Sequence, residues 1–462
     1  MFSLLGQRPY LSRGSVLVMT LVFVTMFVVT FLALSGYVNR TYKQAVLQSQ
    51  DEVAFQVAEA GLNFARWRLA HAPSNFSTVT QSVTDQYAGV LGEYTVTFTA
   101  PAAGNSTVVI ASVGKSSARP ERTATLSARY GIPSLAQYSY VTNSDVYFAS
   151  QIHGLFHANG GIRMDGQSDS EVHSAKLTYT CKPVHGCNPA QSKAGIWGTG
   201  QIQALWKTQV PKVDYPALSS NLSAMQLAAI ASNTYYDASN VFGYQIVFNP
   251  NNTYSIYKVT SKANAVQSCD YDTNDNYTCA NLTHDVQSQT FLETKAVPAN
   301  GVIFTEDHTW VRGDIRSRVT LAAANFPLDD SATNVDMIIN GNISYGGVED
   351  GTRAFGAVAQ RHLLIPYSGA PNNLILDGAY LSQNGKFGRR NYTSGPHRLK
   401  SSIDIFGMIG SFQIPGTTWS SGGSVVSGYQ SKVQTYDPNL LYGPPPYFPT
   451  SGQYEFISWE QQ

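Results

Sequence analysis

SVLVMTLVFVTMFVVTFLALSGYV, residues 15–38, is the stretch whose reading decides the fold. It is apolar, carries no charge and follows a short basic leader that ends Leu11-Ser12-Arg13-Gly14. At ~1.5 Å rise per residue such a helix spans more than the ~30 Å hydrocarbon core of a bilayer. Arg8 and Arg13 precede the span, so the positive-inside bias places that end in the cytoplasm and everything after Asn39 outside.

The pattern does not stop at the membrane boundary. A secretory signal peptide has a shorter apolar core and a small-residue cleavage site. Here YKQAVLQSQDEVAFQVAEAGLNFARWRL (42–69) continues without Pro. Val46, Val53, Val57, Ala60, Leu62, Phe64, Ala65 and Leu69 fit a helical stripe better than alternation. Gly61 weakens the helix locally and Pro73 stops it. The reading is one helix of roughly 55 residues, about 80 Å long, half apolar (15–38) and half amphipathic.

The leader ending in Gly14, the apolar helix that begins at once, and Ala54-Phe55-Gln56-Val57-Ala58-Glu59-Ala60-Gly61-Leu62 together resemble the N-terminus of type IV pilin-like proteins, most closely PilX-type minor pilins. The resemblance covers about the first 70 residues, and A-x-x-A-E-A-G/A-L is its most specific element. It implies that residues 1–14 are a prepilin leader, that prepilin peptidase cuts between Gly14 and Ser15, and that the new N-terminus is methylated. An uncleaved signal anchor is the competing reading of the same physics. Major pilins of that group carry Glu five residues after the cut; here the position is Met19. An unpaired amine buried in lipid is costly, so a subunit without that carboxylate suits the filament tip better than the shaft.

Beyond the helix lie about 390 residues, room for two or three compact units. Charged residues are 13% of the chain, Tyr numbers 27 and Gly 38, and the formal net charge is zero. That is a surface-exposed β composition with no whole-chain support for a nucleic-acid partner; the local patch KFGRR (386–390) reads as a solvated loop. YTVTFTA, STVVIASVG and RTATLSARY between 94 and 130 alternate and are separated by turn residues, which predicts three antiparallel strands. They resemble the small sheet that covers the emerging half of a pilin helix, here the stripe through Val53, Val57 and Leu62, in an α+β unit over 39–132.

From Tyr138 onward helix signals nearly vanish, apart from a short helix over 219–232. Apolar-x-Gly-x-apolar recurs as Ile152/Gly154/Phe156, Val311/Gly313/Ile315, Ile339/Gly341/Ile343, Leu376/Gly378/Tyr380 and Ile405/Gly407/Ile409. Alternation puts each set on one strand face, and the spacing suits a β-solenoid; a β-sandwich is the alternative. The fold class is therefore α+β: a long N-terminal helix with a small antiparallel sheet, then a large all-β region. Within it, 133–297 leads in with two cysteine loops. Residues 298–413 carry the repeat and resemble a β-rich domain of uncharacterised function found in pilin-like exported proteins. The Pro- and aromatic-rich tail, 414–462, reads as a cap on terminal coils, with Phe448, Phe456 and Trp459 supplying apolar area.

Cys181 with Cys187, and Cys269 with Cys279, form two close pairs in an oxidising compartment, which predicts local disulfides among three formal connectivities. Metal ligation by the first pair with His153, His157, His173 or His185 is the alternative. Asp270, Asp272, Asn274, Asp275 and Asn276 place oxygens as calcium requires, but Asp275 stands at the usual Gly position and Asn281 where a bidentate Glu belongs. Asp329-Asp330 invites comparison with polysaccharide-degrading β-helices; PLDDSATN reads more simply as a turn. No G-x-S-x-G, H-E-x-x-H or P-loop is present, and the expectation is a non-enzyme. The expected role is a minor pilin at or near a filament tip, partnered by other pilin helices, prepilin peptidase, the membrane and a surface or carbohydrate ligand. A membrane-anchored polysaccharide enzyme or a secretion-system pseudopilin are the alternatives.

Overall fold

Helix α1 runs unbroken over Arg13–His71. The structure, a computed structural model, describes residues 13–87, 89–101, 106–215, 219–272, 276–328, 330, 333–450 and 454–461. Within α1 lies a window apolar and long enough to cross a membrane, and no part of that window is covered by the rest of the protein. Arg68 and His71 close the last turn, where cations suit the helix dipole.

The chain divides into two units. In the first, α1 is accompanied by a sheet ordered β1 (Val79–Asp85), β2 (Gly89–Thr99), β3 (Thr107–Ser116), β4 (Thr123–Gly131) and the chain's last strand, Glu455–Gln461. β1 pairs antiparallel with β2, and β2 with β3. The three strands expected from alternation are β2 to β4; β1 and the C-terminal strand flank them.

The covered helix face keeps Val57, Ala65 and Leu69 of the expected stripe and adds Ala54 and Ala58, all five at most 1% exposed, while Val53 and Leu62 are only half-buried. The seam is made of small residues because the backbones approach closely. A Cβ on Gly114 would stand 2.3 Å from Ala54 O and Ala58 N, and one on Gly61 would stand 2.2 Å from Ser112 Oγ. The Ser112 hydroxyl donates to Ala58 O at 2.8 Å, and Arg122 pairs with Asp51 at 2.6 Å. Gly61, unfavourable for an isolated helix, is what the packing requires.

The second unit is the large all-β region that composition pointed to. One row of parallel strands runs Tyr235–Tyr236, Val302–Thr305, Arg318–Ala323, Ala354–Ala359, Asn373–Ser382, Leu399–Ser411, Tyr140–Thr142, Phe156–Ala158, Val172–Ser174 and Trp206–Thr208. The chain thus joins the row in its middle, at Tyr140, and winds outward to Trp206. It then passes through helix α2 (Ser219–Ala231) to the opposite end and winds back until Ile409 pairs with Tyr140. Strands paired in parallel in this way bury their apolar side chains against those of their neighbours.

Register lines up the interior. Ile303, Leu321, Ala357, Tyr380, Ile409, Tyr140, Phe156 and Val172 follow one another in paired positions and belong to one buried cluster. The alternate residues Phe304, Ala322, Val358, Leu381 and Val141 face the other way into a second cluster, covered by Leu222, Met225 and Ala229 of α2 and by Leu440 and Phe448. Both faces of this row are therefore buried over most of its length, as parallel sheets demand.

All ten apolar members of the glycine repeat lie in the interior cluster. The glycines have a different task from the one alternation implied. Gly378 and Gly407 pair in register with φ of +132° and +138°, and a Cβ on Gly407 would meet Gly378 O at 2.0 Å; they let neighbouring strands approach closely. Gly341 leaves the pattern, because an irregularity after Val311 pairs Gly313 with Ile343. The stack also extends past 413. Ser424–Thr435 pairs parallel with Leu399–Ser411.

The tail divides. Arg318 Nη2 donates to Pro444 O and Thr320 Oγ1 to Pro446 O, both at 2.5 Å, and Phe448 is buried, so 444–448 covers the outer face of the strand row rather than a terminal coil. Phe456 and Trp459, expected to cap, are 51% and 54% exposed on the last strand.

Candidate functional site

Gly14 and Ser15 fall in the first turn of α1. Cys181 bonds Cys187 and Cys269 bonds Cys279. The second bridge joins a cross-strand pair of the hairpin Val266–Tyr271/Tyr277–Leu282. Three of the four histidines near the first bridge are engaged elsewhere, His153 with Asp169 at 2.6 Å, His157 with Asn159 at 2.9 Å and His173 with Glu171 at 2.8 Å, while His185 is buried within the bridged loop, its carbonyl 3.7 Å from Cys181 Sγ. Thiols joined to each other leave no thiolate for a metal.

Of the calcium candidates, the described ones are engaged with protein groups. Asp270 receives Lys386 Nζ at 2.6 Å and Arg390 Nη1 at 3.5 Å, so its charge already has two cations. Asp272 accepts the backbone N–H and side-chain amide of Asn276 at 2.9 and 3.0 Å. Asn274 and Asp275 lie outside the described residues, as does Asp329. Asp330 sits in a turn, its N–H donating to Pro327 O at 3.4 Å. Among the described residues no group of three His, Cys, Asp or Glu is placed to hold a metal.

KFGRR, read as a solvated loop, is largely interior. Lys386 is held as above. Arg389 is 2% exposed, donates to the carbonyls of Arg398, Tyr367 and His397 and lies over Tyr392 at 4.6 Å. These cations fasten one coil to its neighbours and are not a basic surface. The alternation of Gly-rich sequence around them gave no sign of it.

A further charged ladder escaped sequence reasoning. Asp336 accepts Arg361 Nε and Nη2, both at 2.7 Å, and the His362 N–H at 3.1 Å. Burial alone would raise its pKa, but the Arg361 hydrogen bonds and neighbouring charge hold it at about 2. His308 Nδ1 accepts the Asp336 N–H at 2.9 Å, and His362 Nδ1 accepts the Lys386 N–H at 3.1 Å. A ring nitrogen that accepts a backbone N–H is unprotonated, and burial pushes the His362 pKa down to about 4. The ladder therefore pins successive strands.

Elsewhere the Arg163 guanidinium lies over Tyr147 at 4.6 Å and Trp197 at 5.2 Å, held by Asp165 at 2.8 Å, with Lys193 over the same Trp197 at 4.7 Å. This strip of aromatic faces and cations offers flat contact area rather than reactive groups.

No protein-family model matches the chain, and no curated protein matches it. Among solved structures it is similar to the crystal structure of the competence-associated pilin ComZ from Thermus thermophilus, at 14% identity and a TM-score of 0.32, over 89% of this chain and 97% of that one. The class is defined by the protein's own architecture: a long N-terminal apolar helix, a small antiparallel sheet and a large all-β region.

Proposed function

We propose that the chain is a minor type IV pilin-like subunit, cut by prepilin peptidase between Gly14 and Ser15, which enters a filament at or near its tip and presents the β-rich region for surface adhesion or assembly priming. The observation that carries this reading is α1. Its apolar half is uncovered over a membrane-length window, while its second half is seamed to a small sheet through Ala54, Ala58, Gly61 and Ala65. A helix of that kind rests in lipid as a single subunit and packs on like helices in a filament, since both surroundings cover the same apolar surface. Met19, 64% exposed, takes the place where a shaft subunit would carry a carboxylate, which supports the tip. The β-rich region acts by binding and has no catalytic role.

The test is intact-mass and N-terminal analysis of membrane-derived protein with and without prepilin peptidase. A chain beginning at methylated Ser15 supports the assignment. One beginning at Met1 in both strains rejects it in favour of a signal anchor. Adhesion is tested by deleting 134–462: unchanged attachment with pili still assembling would remove that part. Turnover of a polysaccharide that is lost on Asp329→Asn would favour an anchored enzyme instead.

A further inference from the structure

The hairpin Val266–Tyr271/Tyr277–Leu282 belongs to a three-stranded antiparallel sheet ordered Asn391–Tyr392, Val266–Tyr271, Tyr277–Leu282. Among the described residues the outer edge of Tyr277–Leu282 meets no further strand, and every residue of that strand is exposed. A row of strand N–H and C=O groups open to solvent is satisfied by water or by another strand.

Proteins blunt such edges with charges, prolines and bulges. Both edges of the sheet beside α1 are blunted in this way: β1 is irregular after Val83 and ends in Asp85, and the last strand carries Glu455 and Glu460. Tyr277–Leu282 has none of these devices. From Asn276 to Thr283 there is no charge and no Pro, the register against Val266–Tyr271 runs through without irregularity, and Tyr277 and Leu282 are 46% and 39% exposed.

The edge is also held rigid. The Cys269–Cys279 bridge crosses between the two strands in mid-ladder. Behind it, Arg390 Nε donates to Ser268 Oγ and Thr393 Oγ1 to Gln267 Oε1, both at 2.9 Å, and Asn391 Nδ2 donates to the Tyr277 hydroxyl at 2.5 Å. A preformed edge loses little freedom when it pairs.

We infer that this edge pairs antiparallel with the same strand of a second copy of the chain, joining two sheets into one across a two-fold axis. An axis perpendicular to the sheet keeps every side chain on its own face, so Thr278, Ala280 and Leu282 meet their counterparts on one side and Tyr277, Cys279 and Asn281 on the other. Self-pairing sets like charges against each other wherever a strand carries them; this strand carries none. A contact of one strand per copy is smaller than the roughly 1,200 Å² of a stable interface, so the pairing is transient, with a Kd on the order of tens of micromolar. It stands whether or not the chain enters a filament.

The test is hydrogen exchange of the full chain in detergent from about 1 to 100 μM, read on peptides covering 277–282, with 79–85 as the reference. Protection over 277–282 should rise about threefold or more with concentration while 79–85 stays constant; association through α1 alone changes neither. Ala280→Lys and Ala280→Glu, at an exposed position, should melt as wild type, each lose the concentration dependence alone, and recover it when mixed. Concentration-independent exchange in the wild type overturns the inference, as does a dependence kept by Ala280→Lys or a mixture that fails to recover it. A synthetic (Thr-Val)4 peptide that protects 277–282 as well as the chain itself does overturns the second copy as occupant.

Discussion

Replacing Gly114 by alanine tests whether the seam between α1 and its sheet decides the stability of the first unit. The added Cβ would stand 2.3 Å from Ala54 O and Ala58 N and 2.9 Å from Ala58 Cα, all backbone atoms that no rotamer change can move. The helix must therefore shift from the sheet. Overpacking of this kind costs about 1–3 kcal/mol, and weakening the Ser112 to Ala58 hydrogen bond adds about 1 kcal/mol, for a total of roughly 2–4 kcal/mol. Hydrogen exchange of peptides from 92–116 in the detergent-solubilised chain reads this locally, and protection should fall by roughly 30- to 1,000-fold. Gly36→Ala is the control, since nothing lies within 4 Å of a Cβ there, and exchange in 92–116 should stay as in wild type. Gly114→Ala with wild-type protection would refute the claim that close backbone approach organises this unit.

Gly407→Ala combines a φ of +138° with a 2.0 Å approach to Gly378 O and should lower stability by about 2 kcal/mol or more in denaturant melts. Replacing Cys269 and Cys279 by serine releases a short loop and should cost about 2–3 kcal/mol, visible as earlier exchange in the hairpin Val266–Tyr271/Tyr277–Leu282. Asp336→Asn leaves Arg361 facing a neutral amide and should cost about 2 kcal/mol in urea unfolding, discounted for the partial exposure of that arginine. Acid titration of stability has a definite sign. His362, held near 4 by burial against an ordinary 6.5, contributes fully above pH 6.5 and loses its share as pH falls toward 4. Asp336, held near 2 against 3.8, then loses its share below about pH 4. Melting temperatures that stay flat from pH 7 to 4 would contradict the buried, neutral imidazole.

The helix was legible because apolar length and a missing Pro are local properties, and so were the sheet strands and the cysteine pairs. The sites were legible only in part. KFGRR looks like a surface patch in one dimension, yet Arg389 is 2% exposed, because the carbonyls of His397 and Arg398 on one side and of Tyr367 on the other close over it. Asp336, Arg361 and His362 carry no motif; they meet only because their strands stack.

By itself the sequence determined the elements whose cause lies within about one turn or one hairpin: α1, the strands β2 to β4, α2, both disulfides, and the inward-facing apolar members of the glycine repeat. The order of stacking belonged to the tertiary structure. Nothing local dictates that Tyr140 should pair with Ile409, so that the chain enters its own stack in the middle and α2 carries it from one end to the other. Parallel rungs are interchangeable at the level of hydrophobic pattern. Which rung meets which is chosen by the fit of side chains along the whole interior row and by the cover that α2 and residues 444–448 place over its outer face, and both exist only once the distant segments have come together.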